Sequence, residues 1–135
     1  MPFDITAVYA GVLGLWVVAL AAIVGMTRDR LDVLVGDGGL PELTHKIRAH
    51  GNAVETIPLA LILIGLAEGL AAPGWLLHLL GLALVVGRVL HGLYFLKGAT
   101  TVALRASGIA LTLGVIVLAA LTCLGYGLMT MVGGA

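Results

Sequence analysis

Long runs of apolar residues without a single charge are the dominant pattern along the chain. One run extends from Ile5 to Met26 and another from Ala106 to Ala135. About 20 apolar residues in a helix cross the hydrocarbon core of a bilayer. Two further apolar segments carry a few polar residues and are joined by the turn sequence AAPG. The pattern therefore predicts four transmembrane helices, over about 5–26, 43–70, 74–96 and 102–131.

The composition favours an all-α integral membrane four-helix bundle that forms one domain over residues 1–135. Hydrophobic residues make up 61% of the chain, and its mean hydropathy is +1.16. The net charge is zero and no basic stripe carries interleaved aromatic residues, so we expect no nucleic-acid partner. The first apolar run lacks a basic start and is longer than the core of a secretory signal, so we interpret it as a membrane helix. The single cysteine, Cys123, excludes an intrachain disulfide.

The positions of lysine and arginine predict how the helices are oriented. Short loops rich in these residues remain on the cytoplasmic side of a membrane. The connection over 68–74 has none, whereas the first and third loops and their edges carry Arg28, Arg30, Lys46, Arg48, Lys97 and Arg105. We therefore expect these two loops to be cytoplasmic and both termini to face the opposite side.

Two stripes of polar and aromatic side chains interrupt the apolar helices. Residues three, four or seven apart share one face of a helix. The stripes are on the second helix, at His45, Arg48, Asn52 and Glu55, and on the third, at Arg88, His91 and Phe95. Counted inward from the outer turn at 1.5 Å per residue, Glu55 and Arg88 lie at similar depths, about 19 and 21 Å. A charge inside a membrane needs a partner, so we predict a Glu55–Arg88 ion pair.

These polar groups predict a pocket at the cytoplasmic end of the bundle. Three arginines, a carboxylate, an amide and histidines suit a small ligand with carboxylate and ammonium groups, or an anion such as a thiolate. His45 and His50 diverge by about 140° on a helix, so they make no metal-binding face. HExxH, cysteine-cluster, GxSxG and phosphate-loop motifs are absent, and we expect no metal site. Alternatively, Glu55 and Arg88 only hold two helices together.

The segment RAHGNAVETIP, from Arg48 to Pro58, resembles a signature on the second helix of the MAPEG family, the membrane-associated proteins in eicosanoid and glutathione metabolism. The GDGG loop before it is similar to that of the bacterial inner-membrane branch. The run RVLHGLYF, from Arg88 to Phe95, resembles the family's arginine, histidine and tyrosine run on the third helix, and Arg105 stands where the fourth helix keeps an arginine. The chain departs from the leukotriene branch at Thr56, where that branch has a tyrosine.

The resemblance covers essentially the whole chain and implies how the protein assembles and what it binds. It implies a homotrimer in the bacterial inner membrane, with glutathione bound between subunits near the cytoplasmic side. In that membrane the orientation expected from lysine and arginine makes both termini periplasmic. By position, Arg48, Asn52 and Glu55 would hold the carboxylates and amine of glutathione, and Arg105 would stabilise its thiolate. The same pocket would be lined by His50, Arg88, His91 and Tyr94.

Two functions follow from these expectations. The first is a membrane transferase or peroxidase that uses glutathione as co-substrate and acts on a lipophilic electrophile or hydroperoxide arriving from the bilayer. The second is a non-enzymatic scaffold, or a trimer that binds a small ligand, whose polar stripe only fixes subunit contacts. Lipids surround the protein in both cases.

Overall fold

The computed structural model describes residues 3–97 and 101–133. This part of the chain forms four helices: α1 (Asp4–Leu31), α2 (Pro41–Gly69), α3 (Gly74–Leu96) and α4 (Val102–Gly133). All four are long and apolar enough to cross a membrane. The all-helical fold class and the four expected spans are therefore confirmed. Residues 98–100, at the predicted break before α4, lie outside the described residues.

The end of α1 is the largest difference from the predicted helix limits. The uncharged run stops at Met26, but α1 continues to Leu31. Asp32 adopts a left-handed conformation there, and its backbone N–H meets the carbonyls of Arg28 and Asp29. Capping therefore sets the end of α1, and its last turn extends past the apolar span. Helix α2 runs through Pro58 without interruption.

Helices α2 and α3 form the centre of the bundle, with α1 and α4 packed against both of them. Within the described residues, α1 and α4 share no contact. The core is closed by fully buried leucine and isoleucine side chains, including Leu13, Leu20, Ile64, Leu77 and Leu84. Many other large apolar side chains are exposed along all four helices, as expected where lipid replaces water around a bundle.

Glycines allow α3 to approach its neighbours closely. A Cβ added at Gly108 of α4 would lie 2.7 Å from the Gly87 carbonyl oxygen and 2.7 Å from the His91 amide nitrogen. On the other side of α3, a Cβ at Gly92 would lie 2.6 Å from the Trp16 ring. Small residues at such crossings are typical of helices that associate in lipid. They fix the position of α3, which carries Arg88 and His91.

The first turn of α1 is capped by a residue from α2. The Glu68 carboxylate accepts hydrogen bonds from the backbone N–H of Ile5 at 2.9 Å and of Thr6 at 2.8 Å, and from the Thr6 hydroxyl at 2.6 Å. Helix N-termini leave N–H groups without an intrahelical partner and favour a negative charge. Glu68 satisfies both requirements and ties α1 to α2 at the end of the bundle opposite the polar stripe.

Candidate functional site

The polar stripe of α2 faces away from the core of the subunit. The opposite face carries small and branched apolar residues, Ala49, Ala53, Ile57 and Ala60, which are buried against neighbouring helices. Because residues on a helix are spaced by 100°, this packing turns Arg48 and Glu55 outward. Both are exposed, and Asn52, nearer to α3, is half-buried. The structure therefore brings the predicted α2 residues to one side of the bundle, with the two charged ones at its surface.

Arg88 is buried, with 3% of its surface exposed, and it bonds to α2. Its Nη1 atom donates to the Asn52 carbonyl oxygen at 3.1 Å and to the Thr56 hydroxyl oxygen at 2.8 Å. These contacts agree with the depth of Arg88 that was expected from counting residues along the helix axis at 1.5 Å each. The Nε atom is buried without a hydrogen-bond partner in the described part of the chain. Arg88 therefore ties α2 to α3 and also carries a buried N–H group, at Nε, without a partner among the described residues.

The predicted Glu55–Arg88 ion pair is wrong for the single subunit. Ion pairs among the described residues join Glu42 to Arg30 and Lys46, and none involves Glu55. The physical reason is rotation about the helix axis, because Glu55 is turned by roughly 60° from Asn52 and 100° from Thr56. Glu55 and Arg88 lie at similar depths, but the Glu55 side chain does not point toward α3. Its carboxylate faces outward, and Arg88 bonds instead to Asn52 and Thr56 of α2.

A cavity of about 200 Å³ opens where α2, α3 and α4 meet. Its polar lining includes three of the predicted site residues, Asn52, Arg88 and His91. Sequence reasoning did not assign the remaining lining residues to the site: Thr56, Ile109, Thr112 and Leu113. The position of Thr56, one turn after Asn52, was the signal that could have identified it. The cavity combines hydrogen-bonding groups with apolar walls.

An aromatic cluster lies next to this cavity, at the end of α3. Phe95 contacts the rings of His45, His91 and Tyr94 edge-on or tilted, with ring centroids 4.9–6.3 Å apart. The Arg105 guanidinium lies over the Tyr94 ring, 6.0 Å from its centroid. A cation–π contact of this kind holds an arginine in place without neutralising its charge. Arg105 is exposed, so its charge is available at the bundle end.

His50 is the one predicted site residue on α2 that points elsewhere. His50 lies two positions before Asn52, which places the two side chains about 160° apart around the helix. His50 is half-buried, whereas His91 is buried against α4 and Phe95. The geometry therefore groups Arg48, Asn52 and Glu55 on one stripe and separates His50 from it.

The fold and the site define an integral membrane four-helix protein with an arginine-rich polar site at one end of the bundle. Comparison with known proteins identifies the family, because the model of the MAPEG family matches residues 6–125. The chain therefore belongs to the MAPEG family.

Two curated relatives are both inner membrane protein YecN, from Escherichia coli strains K12 and O6:H1. Each is 39% identical to the chain over 87 residues, covering 64% of this chain and 66% of the relative. The chain thus matches slightly less than two thirds of the length of these relatives. Their name places them in the inner membrane.

Proposed function

We propose that the protein is a glutathione-dependent membrane transferase or peroxidase, and that it acts as a homotrimer in the inner membrane. The observation that carries this proposal is the outward position of Arg48 and Glu55 on one stripe of α2. Both are charged, exposed and without an ion-pair partner among the described residues. Charges near a membrane need compensation. A zwitterionic ligand at a subunit boundary supplies it, and membership of the MAPEG family favours glutathione as that ligand.

The chemistry of glutathione fits the stripe group by group. Its carboxylates are bidentate acceptors, which suits the guanidinium of Arg48. Its ammonium group suits the Glu55 carboxylate, and its amide groups suit the Asn52 side chain. The Asn52 Nδ2 donates to the Arg48 carbonyl oxygen at 2.8 Å, so the amide is held in place on the helix.

Activation of the thiol is assigned to Arg105. A thiolate is a far better nucleophile than a thiol, and a nearby guanidinium favours it. The sulfur would attack an electrophilic carbon of a lipophilic substrate, forming a thioether as the leaving group departs. With a lipid hydroperoxide, two glutathione molecules would be oxidised to the disulfide while the hydroperoxide becomes an alcohol and water. The protein's contribution is proximity and charge stabilisation.

The experiment compares two arginine variants of the full chain in detergent. Arg105→Ala is expected to keep glutathione affinity within a few-fold and to abolish the ultraviolet thiolate signal at neutral pH. Arg48→Ala is expected to weaken affinity first, because it removes a carboxylate contact. Arg105→Lys is the charge-preserving control. An unchanged thiolate signal in Arg105→Ala would remove Arg105 from the site.

The trimer is tested separately by native mass spectrometry in detergent. Three copies with bound glutathione support the proposal, and a population of monomers or dimers alone contradicts it. The second candidate function, a non-enzymatic scaffold, is favoured by the bonds that Arg88 makes to α2, which are structural. Heating with and without glutathione separates the candidates, because a scaffold gains no thermal protection from the tripeptide.

A further inference from the structure

The cavity where α2, α3 and α4 meet contains a buried positive charge, that of Arg88. Counted from the outer turn, Arg88 lies about 21 Å inward, which places it within the hydrocarbon core of about 30 Å. Its guanidinium stays protonated, and a buried charge without a counter-charge is unfavourable. Arg88 takes part in none of the ion pairs among the described residues. Its charge therefore calls for an anion from outside the subunit.

Two side chains that line this cavity have N–H groups without a partner. The Arg88 Nε atom is buried without a hydrogen bond, and the His91 ring contacts Phe95 but makes no hydrogen bond among the described residues. Each of the two lining residues is only 3% exposed. The hydroxyls of Thr56 and Thr112 instead donate to backbone carbonyl oxygens of their own helices, at 2.8 Å each. No acidic residue shares the lining, so the free donors favour an anion.

The cavity is distinct from the outward stripe of α2. Its lining includes none of Arg48, Glu55 and Arg105, to which the proposed function assigns the charged groups of glutathione. Arg48 and Glu55 are exposed, whereas Arg88 is enclosed within the subunit. Asn52 borders both places, so glutathione has to be tested against the anion directly.

We propose that this cavity binds a small monovalent anion, a halide or a short carboxylate, held by the Arg88 guanidinium and the His91 ring N–H. A volume of about 200 Å³ accommodates such an ion with several water molecules, each of which takes about 30 Å³ in the liquid. Water alone satisfies N–H groups but leaves the charge of the guanidinium in place. The bound anion neutralises Arg88 within the bilayer, at a point where three helices meet.

The test uses the full chain in neutral detergent and sodium gluconate, without glutathione. Sodium chloride or sodium formate replaces gluconate, a bulky anion, at constant ionic strength, and thermal melting and the broadening of the chloride NMR line are measured. At about ten times its dissociation constant, the bound anion is expected to raise the melting temperature by roughly 5 °C. The more effective of the two salts identifies the occupant as halide or carboxylate. Identical melting in all three salts would mean that only water fills the cavity and would overturn the proposal.

Two variants and a control locate the response. Arg88→Gln removes the charge, and Ile109→Phe narrows the cavity while keeping Arg88, so both are expected to lose the response to chloride and formate. Ile109→Phe decides the matter if Arg88→Gln fails to fold. Arg30→Gln is the matched control, because Arg30 is an arginine bonded to Glu42 outside the cavity, and it is expected to respond as the wild type does. A full response in folded Ile109→Phe, or its loss in Arg30→Gln, would refute the assignment.

Glutathione is added last, to the wild type in chloride. Chloride that stays bound in its presence supports a separate anion site. Displacement of chloride by glutathione would make the cavity part of the glutathione site and would end the anion proposal. A chloride response in a protein that does not bind glutathione would overturn the proposed function and leave the anion site standing.

Discussion

The close crossing of α3 and α4 makes Gly108→Ala a sharp test of the packing. A Cβ at this position would lie 2.7 Å from the Gly87 carbonyl oxygen, about 0.7 Å short of the 3.4 Å at which ordinary contact begins. It would also lie 2.8 Å from the His91 Cβ. The blocking atoms belong to the backbone and to a buried side chain, so they cannot swing away. The helices must separate, at a cost of about 1–3 kcal/mol for overpacking.

Gly114→Ala provides the control on the same helix, because a Cβ at Gly114 has no neighbour within 4 Å. Both variants gain up to about 1 kcal/mol from the higher helix propensity of alanine. The difference between their stabilities therefore measures the effect of the added Cβ at the crossing of α3 and α4. At roughly 4 °C per kcal/mol for a chain of this size, Gly108→Ala is expected to melt about 4–12 °C below Gly114→Ala. Thermal melting in detergent measures this difference. If the two variants melt together, α3 and α4 are not in contact at Gly108.

Three further outcomes are expected. Thr56→Val and Arg88→Met should couple by about 1.5–3 kcal/mol in a double-mutant cycle, whereas additive effects would mean that their hydrogen bond is unimportant. Glu68→Gln should destabilise the protein by about 1–2 kcal/mol, because the cap on α1 loses its charge, and an unchanged chemical-denaturation midpoint would contradict this. Hydrogen bonds from the Gly39 N–H and the Thr44 hydroxyl hold the pKa of Asp37 below its ordinary value of 3.8. The Asp37 carboxylate therefore stabilises the loop between α1 and α2 fully above pH 3.8, and this stabilisation is lost as the pH falls through the lowered pKa of the folded state. Amide exchange at Gly39 should accelerate over that acidic range in the wild type and show no such step in Asp37→Asn.

The helices could be predicted from sequence because a bilayer demands long uncharged runs, and those runs are visible in one dimension. The end of α1 could not be predicted from the sequence, because the conformations of Leu31 and Asp32 depend on capping and not on hydrophobicity. The depth of Arg88 followed from counting residues, because the axial rise is constant. The hydrogen-bond partners of Arg88 could not be predicted by this count, because the rotation of α2 about its axis is set by which of its residues pack in the core. The close approach at Gly108 depends on the same packing, and the glycine in the α4 sequence indicates a close contact without identifying its partners, Gly87 and His91.

We expect the cap that Glu68 places on α1 to influence the order in which the helices reach their final positions. Translation completes α1 first, and its capping carboxylate follows 62 residues after Thr6. Until α2 has been inserted, the first N–H groups of α1 have only water or lipid headgroups as partners, so this end of the helix can shift along the membrane normal. The arrival of Glu68 fixes that position, and α1 and α2 become a hairpin. Helix α3 packs against both, so it docks onto a pair whose relative height is already set.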